Sequence, residues 1–111
     1  MESSRLAGMV SEHSVIAVVK DQVFTDLAGE TVILNLNSGV YYSLTGVGVR
    51  VWELIQAPKT VAGIQDVILT EYEVDAQRCR HDLLVLLQDL AAHGLIEVKD
   101  ETDLSRKGTY L

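Results

Sequence analysis

Three histidines, one cysteine and two glycines ahead of a helix are the residues with which this chain would do covalent or phosphate chemistry. The histidines, His13, His81 and His93, are widely spaced. Cys79 and His81 stand two apart, so a helix turns their side chains about 200° away from each other. They form neither a local catalytic dyad nor a metal site. Cys79 falls on an apolar stripe, where a small buried thiol is the ordinary reading, and no neighbour in sequence stands to make it a thiolate. Gly46 and Gly48 in "LTGVGVRVWELI" precede a helix, but the spacing is not G-x-G-x-x-G and the P-loop Lys-Ser/Thr ending is missing. A strand-to-helix turn that needs small residues explains them. Asp100, Glu101 and Asp103 read as a solvated tail rather than a metal cluster. The expectation is no catalytic residue, no metal and no cofactor.

Arg78, Arg80 and His81 give one helix a basic beginning, which is what a DNA-reading helix would present to a major groove. Asp75, Asp82 and Asp89 share that helix segment, however. Acidic residues outnumber basic ones 16 to 9, for a formal net charge of −7. Nucleic-acid binders gather Lys and Arg on one face, so a solvated helix face is the preferred reading and no nucleic-acid partner is expected.

What remains is a strand edge. "VILNLNSGVYYSL", Val32 to Leu44, is two apolar runs joined by Asn37-Ser38-Gly39, and it reads as a β-hairpin with Gly39 left-handed in a three-residue loop. Before the turn, Val32, Leu34 and Leu36 share one face, while Ile33, Asn35 and Asn37 share the other. After it, Val40, Tyr42 and Leu44 share the face assigned to the core; Tyr41 and Ser43 share the opposite one. The second strand has no later strand beside it, and it carries no Lys, Pro or other device against unwanted pairing. Two readings stay open on the residues alone. The edge is covered, by a strand at 14–19 or by a second copy, or it accepts an extended peptide as an added strand.

The elements that position this edge follow from the pattern. "SVIAVV" and "VFTDLAG" read as short strands before the hairpin. Val51, Trp52 and Ile55 form one face of a first helix, with Thr45 placed to cap its start and Pro58 beyond its end. Thr60 caps a second helix with the stripe Ile64, Val67, Ile68 and Tyr72. Asp75 caps a third, on which Cys79, Leu83, Leu86, Leu87 and Leu90 are the buried stripe and Val74 has staple spacing to Cys79. Gly94 ends it, and "LIEV" is a terminal strand or wing. This is an α+β order of three or four short strands, three helices and a short terminal strand, and it suggests a winged helix-turn-helix with a sheet added in front. Residues 1–13 read as a flexible arm, 14–98 as one domain and 99–111 as a flexible charged tail. Of 111 residues, 48% are hydrophobic, enough for one core. No run approaches the roughly 18–20 apolar residues of a membrane span, and the start lacks a signal-peptide core. With a single cysteine, a cytoplasmic location is expected.

The segments "VILNLNSGVYYSLTGVGVRVWELI", "TVAGIQDVILTEYEVD" and "CRHDLLVLLQDLAAHGLI" together resemble the PqqD-like proteins, the leader-recognition elements of ribosomally made, modified peptide pathways. The resemblance covers roughly residues 23–98. It rests on Ser38-Gly39, Tyr42, Leu44, Val51-Trp52, Asp82-Leu83, Leu86-Leu87, Leu90 and Gly94-Leu95-Ile96. It implies a winged helix-turn-helix-like fold, a three-stranded antiparallel sheet packed on three helices, and a non-catalytic protein that binds the leader of a precursor peptide and delivers it to maturation enzymes. The leader would add as a strand at Val40, Tyr41, Tyr42, Ser43 and Leu44, beside the third helix. Of that helix's two flanks, Gln77, Arg80, Leu84 and Ala91 form one. Arg78, Asp82, Val85, Leu86 and Asp89 form the other, and Asp82 matches the family's acidic position, so this flank is assigned to the site. Asp82 and Asp89 are placed to receive Lys or Arg. Within the family, "SGVYYSLTGVGVRVWELI" looks most like the stand-alone binders of split lasso-peptide systems, whose partners are a leader-cleaving cysteine protease and an ATP-dependent cyclase. The pyrroloquinoline-quinone branch, serving a radical-SAM enzyme, and a winged-helix DNA-binding regulator are the alternatives.

Overall fold

A computed structural model describes residues 10–99. Most of the N-terminal arm, residues 1–9, and the tail from 100, with Asp100, Glu101 and Asp103, lie outside the described residues. In chain order the elements are β1 (Val15–Val18), β2 (Gln22–Leu27), β3 (Glu30–Asn35), β4 (Tyr41–Thr45), α1 (Val47–Leu54), β5 (Lys59–Thr60), α2 (Val61–Glu71), α3 (Ala76–Ala92) and β6 (Ile96–Lys99).

The strands form two antiparallel sheets of three, ordered β2-β3-β4 and β5-β1-β6. The first is the expected sheet. Its β2–β3 turn places Ala28 and Gly29 at φ 51° and 87°, which gives the strands the twist a two-residue hairpin needs. The second sheet was not expected. β1 pairs with β6 through Val15↔Lys99 to Val18↔Ile96, and with β5 through Val15↔Thr60 and Ile16↔Lys59. The terminal segment, read as a strand or wing, is a strand of this second sheet. Ile16 and Ile96 are both buried, and pairing with β1 lets both apolar side chains leave water. With β1 occupied there, the outer edge of β4 has no strand beside it among the described residues.

One core joins the sheets and helices. Ile16, Ile33, Leu44, Val51, Trp52, Ile55, Ile64, Ile68, Leu83, Leu87, Leu90 and Leu95 are all at most 5% exposed. The caps follow the sequence at two helices. Thr60 Oγ1 accepts from Gly63 N at 3.1 Å and an Asp75 carboxylate oxygen from Arg78 N at 3.0 Å. Thr45 does not cap α1. It is the last residue of β4, and Gly46 takes the cap position at φ 58° with no side-chain bond. The chain turns too sharply there for the residue before it to reach back into the helix. Arg50 ties α1 to α2 with two 2.8 Å contacts to the Glu71 carboxylate.

The hairpin differs from expectation at its tip. The β3–β4 register is Leu34↔Tyr41, and Asn35 N donates to Val40 O at 2.9 Å, so the loop holds four residues, 36–39. Gly39 is left-handed at φ 76°. Leu36 and Val40 are 55% and 46% exposed. Leu36 has no partner on β4, and its N–H continues the β2 side of the sheet by donating to Asp21 O. On β3 the buried face is Thr31, Ile33 and Asn35. Two of those three are polar, and each is satisfied: Thr31 donates to Asp26 at 2.8 Å, and Asn35 makes the contacts described below.

Candidate functional site

The direction of each main-chain group on β4 follows from the ladder. In an antiparallel pair, hydrogen-bonded and non-bonded pairs alternate. Asn35 N to Val40 O is one bond of a bonded pair, so Ile33↔Tyr42 and Thr31↔Leu44 are bonded pairs as well. The bond from Leu36 N to Asp21 O agrees, because it assigns the even residues of β3 to β2. The N–H and C=O groups of Tyr42 and Leu44 therefore point into the sheet. Those of Tyr41, Ser43 and Thr45 point to the open edge. Val40 precedes β4 and turns its carbonyl to Asn35, while its N–H meets Ser38 Oγ at 3.3 Å, so it contributes nothing to the edge.

Side chains divide differently. Tyr41, 72% exposed, stands on the outer face of the sheet, as does Ser43, whose hydroxyl reaches Glu30 at 3.2 Å. Leu44 is buried in the core against Gly48. Tyr42 is half-buried and crosses to α3, where its hydroxyl donates to the Asp89 carboxylate. Its ring also meets the His93 ring edge-on at 5.0 Å.

Where β4 leads into α1, an apolar cavity of about 350 Å³ opens among the three helices. Val47 and Val51 of α1, Ile68 of α2, and Cys79, Leu83 and Leu86 of α3 form its walls, with Val74 before α3. Asp75, Arg78 and Asp82 supply its polar lining. Of the flank assigned from sequence, Arg78, Asp82 and Leu86 line this cavity and Asp89 meets β4. Val85 is 52% exposed and is not part of the lining. On the opposite flank, Arg80 lies 3.9 Å from Glu12 and Leu84 packs on the core. The cavity residues that sequence reasoning left out, Val47 and Val74 above all, carried a signal. Val47 sits between two glycines at the strand-to-helix turn, and Val74 had been read only as a staple.

The charges of the site are largely paired. Arg78 Nε lies 3.7 Å from Asp82, and Asp89 lies 3.6 Å from His93 Nδ1. Burial, and then the nearby charge of Asp82, push the Cys79 thiol up, which is the reverse of what a thiolate nucleophile needs.

Burial, then the hydrogen bond to Asp89 and that carboxylate's charge, push the Tyr42 phenol up to about 12. The folded chain holds this proton more tightly than the unfolded chain, whose tyrosines ionise near pH 10. The contribution of this contact is present below about pH 10 and is lost as pH rises through about 12. Tyr42→Phe is expected to cost about 1 kcal/mol at neutral pH and to flatten the fall in stability between pH 10 and 12. Urea unfolding across that range checks it. A phenylalanine variant with the parent's alkaline profile would mean that the bond does not form in solution.

A family model described as "Coenzyme PQQ synthesis protein D (PqqD)" matches residues 30–96, a span that runs from the start of β3 to the start of β6. Among solved structures, "TbiB1 in Complex with the TbiA(beta) Leader Peptide" is 34% identical, with 73% of this chain and 94% of that chain covered and a TM-score of 0.69. "Lasso peptide synthetase B1 complexed with the leader peptide" is 18% identical, with 78% and 99% covered and a TM-score of 0.66, and it shows the shared fold. No curated protein matches. The hairpin, the three helices and the open strand beside α3 all fall within the matched span, and the chain belongs to the PqqD family.

Proposed function

We propose that this protein binds the leader of a ribosomally made precursor peptide and presents it to maturation enzymes in the cytoplasm, without catalysing a reaction itself. The leader adds as a strand to β4. Its main chain bonds the free groups of Tyr41 and Ser43, and its inward side chains lie in the groove between β4 and α3. Arg78, Asp82, Leu86 and Asp89 line or border that groove. The observation that carries this reading is the unpaired edge of β4, which leads through Val47 into an apolar cavity, in a chain 34% identical to a protein solved with a leader peptide. We assign the pathway to lasso-peptide maturation, with a leader-cleaving cysteine protease and an ATP-dependent cyclase as the recipients.

Titration with the leader of a short precursor peptide encoded beside this gene tests the reading, and two salt concentrations decide its class. Strand addition with an apolar anchor is expected to hold its affinity within a few-fold between 50 and 200 mM salt. Phosphate contacts to a nucleic acid would lose roughly 10³–10⁵ over that range. Binding to duplex DNA with that slope, and none to the leader, would overturn the proposal in favour of a DNA-binding regulator. That alternative would have to use Arg78 and Arg80, both already beside carboxylates.

A further inference from the structure

Three acids follow one another along the groove flank of α3, and two of them are accounted for. Asp75 caps the helix through Arg78 N, and Asp82 lies beside the Arg78 guanidinium. Asp89 is different. It accepts the Tyr42 hydroxyl and has His93 beside it, but no Lys or Arg of the described residues forms an ion pair with it. Its side chain is 49% exposed. A carboxylate has about four acceptor sites, so capacity remains for a donor arriving from the groove.

The distance between Asp89 and the cavity is set by the helix. The α3 residues that line the cavity run from Arg78 to Leu86, centred near Asp82. Asp89 is seven residues further on, or roughly 10 Å at 1.5 Å per residue. Measured from Cys79, deep in the wall, it is roughly 15 Å. A strand advances about 3.3 Å per residue, and only an even step keeps two side chains on one face. Four residues, roughly 13 Å, is the even step inside that interval. The direction follows from β4, which meets Asp89 at Tyr42 and leads into the cavity wall at Val47. A peptide that continues the antiparallel pattern of this sheet passes the cavity first and Asp89 second.

Resting on the proposed leader binding, we infer that Asp89 is a specificity determinant: the bound segment carries a large apolar residue for the cavity and, four residues C-terminal to it, Lys or Arg for Asp89. Neither half suffices alone. The apolar residue supplies burial, and the cation fixes which of several apolar residues in a leader enters the cavity.

The test is selection of randomised ten-residue peptides displayed on phage against the full-length protein, its Asp89→Lys and Asp89→Asn variants, and a Ser43→Pro variant with the edge blocked. The parent should enrich an apolar residue followed at the fourth position by Lys or Arg. Asp89→Lys should keep the apolar preference and change the fourth position to Asp or Glu. Asp89→Asn, which retains an acceptor for Tyr42, should bind the parent's selected peptides about fivefold more weakly, the scale of a half-exposed ion pair. Enrichment of apolar anchors with no charge preference, or with one that Asp89→Lys leaves unchanged, would overturn the inference and leave leader binding standing. Peptides enriched equally by the parent and by Ser43→Pro would overturn strand addition at β4, and the inference with it.

Discussion

Alanine at Trp52 is expected to remove about 3–5 kcal/mol of folding stability, read as a lower urea midpoint at an unchanged slope. Trp52 is 1% exposed at the centre of the core, between α1 and the β2-β3-β4 sheet, where Phe24 meets its ring edge-on at 5.7 Å. Truncation opens a cavity at the point where the sheet rests on the helices. A domain of this size has only about 5–15 kcal/mol in total, so the variant should be partly unfolded when warmed. The indole N–H has no hydrogen-bond partner among the described residues. Trp52→Phe should therefore cost clearly less than Trp52→Ala, because it keeps most of the packing and loses no bond. If the two substitutions were equally harmful, the N–H would have a partner, such as a buried water, and the core would be polar at that point.

Proline at Ser43 is expected to weaken leader binding by on the order of tenfold or more while leaving a folded protein. The ladder directs the Ser43 N–H to the open edge, where proline removes a donor without touching the β3 pairing. Proline at Tyr42 has the opposite character. Its N–H belongs to the bonded pair with Ile33, so that variant should unfold more readily before any question of binding arises. Isothermal titration of the leader into Ser43→Pro, with Ser43→Thr as the side-chain control, separates main-chain from side-chain effects. Parent-like affinity in a folded Ser43→Pro variant would move the peptide away from this edge.

The parts of the molecule that were legible in the sequence are those written locally. Thr60 and Asp75 announced their helices because a cap and the amide it accepts are three residues apart. Trp52, Leu83, Leu87 and Leu90 announced the core through helical spacing. The left-handed Gly39 and the open second strand of the hairpin also followed from neighbours in sequence. The second sheet did not, because β1 finds its partners 43 and 82 positions away, as Ile16↔Lys59 and Ile16↔Val98 show. Val40 was assigned to the core face for a related reason, and it is 46% exposed. Alternation continues through Val40, which precedes β4 at the edge of the loop and meets β3 only at the hairpin's end. The groove flank on α3 was half legible: helical spacing offered two flanks of similar composition, and only the contact of Tyr42 with Asp89 distinguishes the one that meets β4.

The Asn35 side chain reaches both walls of the groove. Its amide nitrogen donates to His93 O and Gly94 O at the end of α3, at 3.3 and 3.1 Å. Its oxygen accepts from Asn37 N and Ser38 N in the hairpin loop, at 2.8 and 3.1 Å. A side chain at Gly94 would have its Cβ 3.0 Å from that nitrogen, so the clamp also needs the glycine. Held in this way, the hairpin loop and the end of the helix are joined before any ligand arrives. This preorganises the receptor, so that more of the conformational freedom lost on association is the peptide's. Affinity then becomes a property the precursor can adjust by itself: a leader biased toward extended conformations, through β-branched residues for example, would bind more tightly with no change in a single contact.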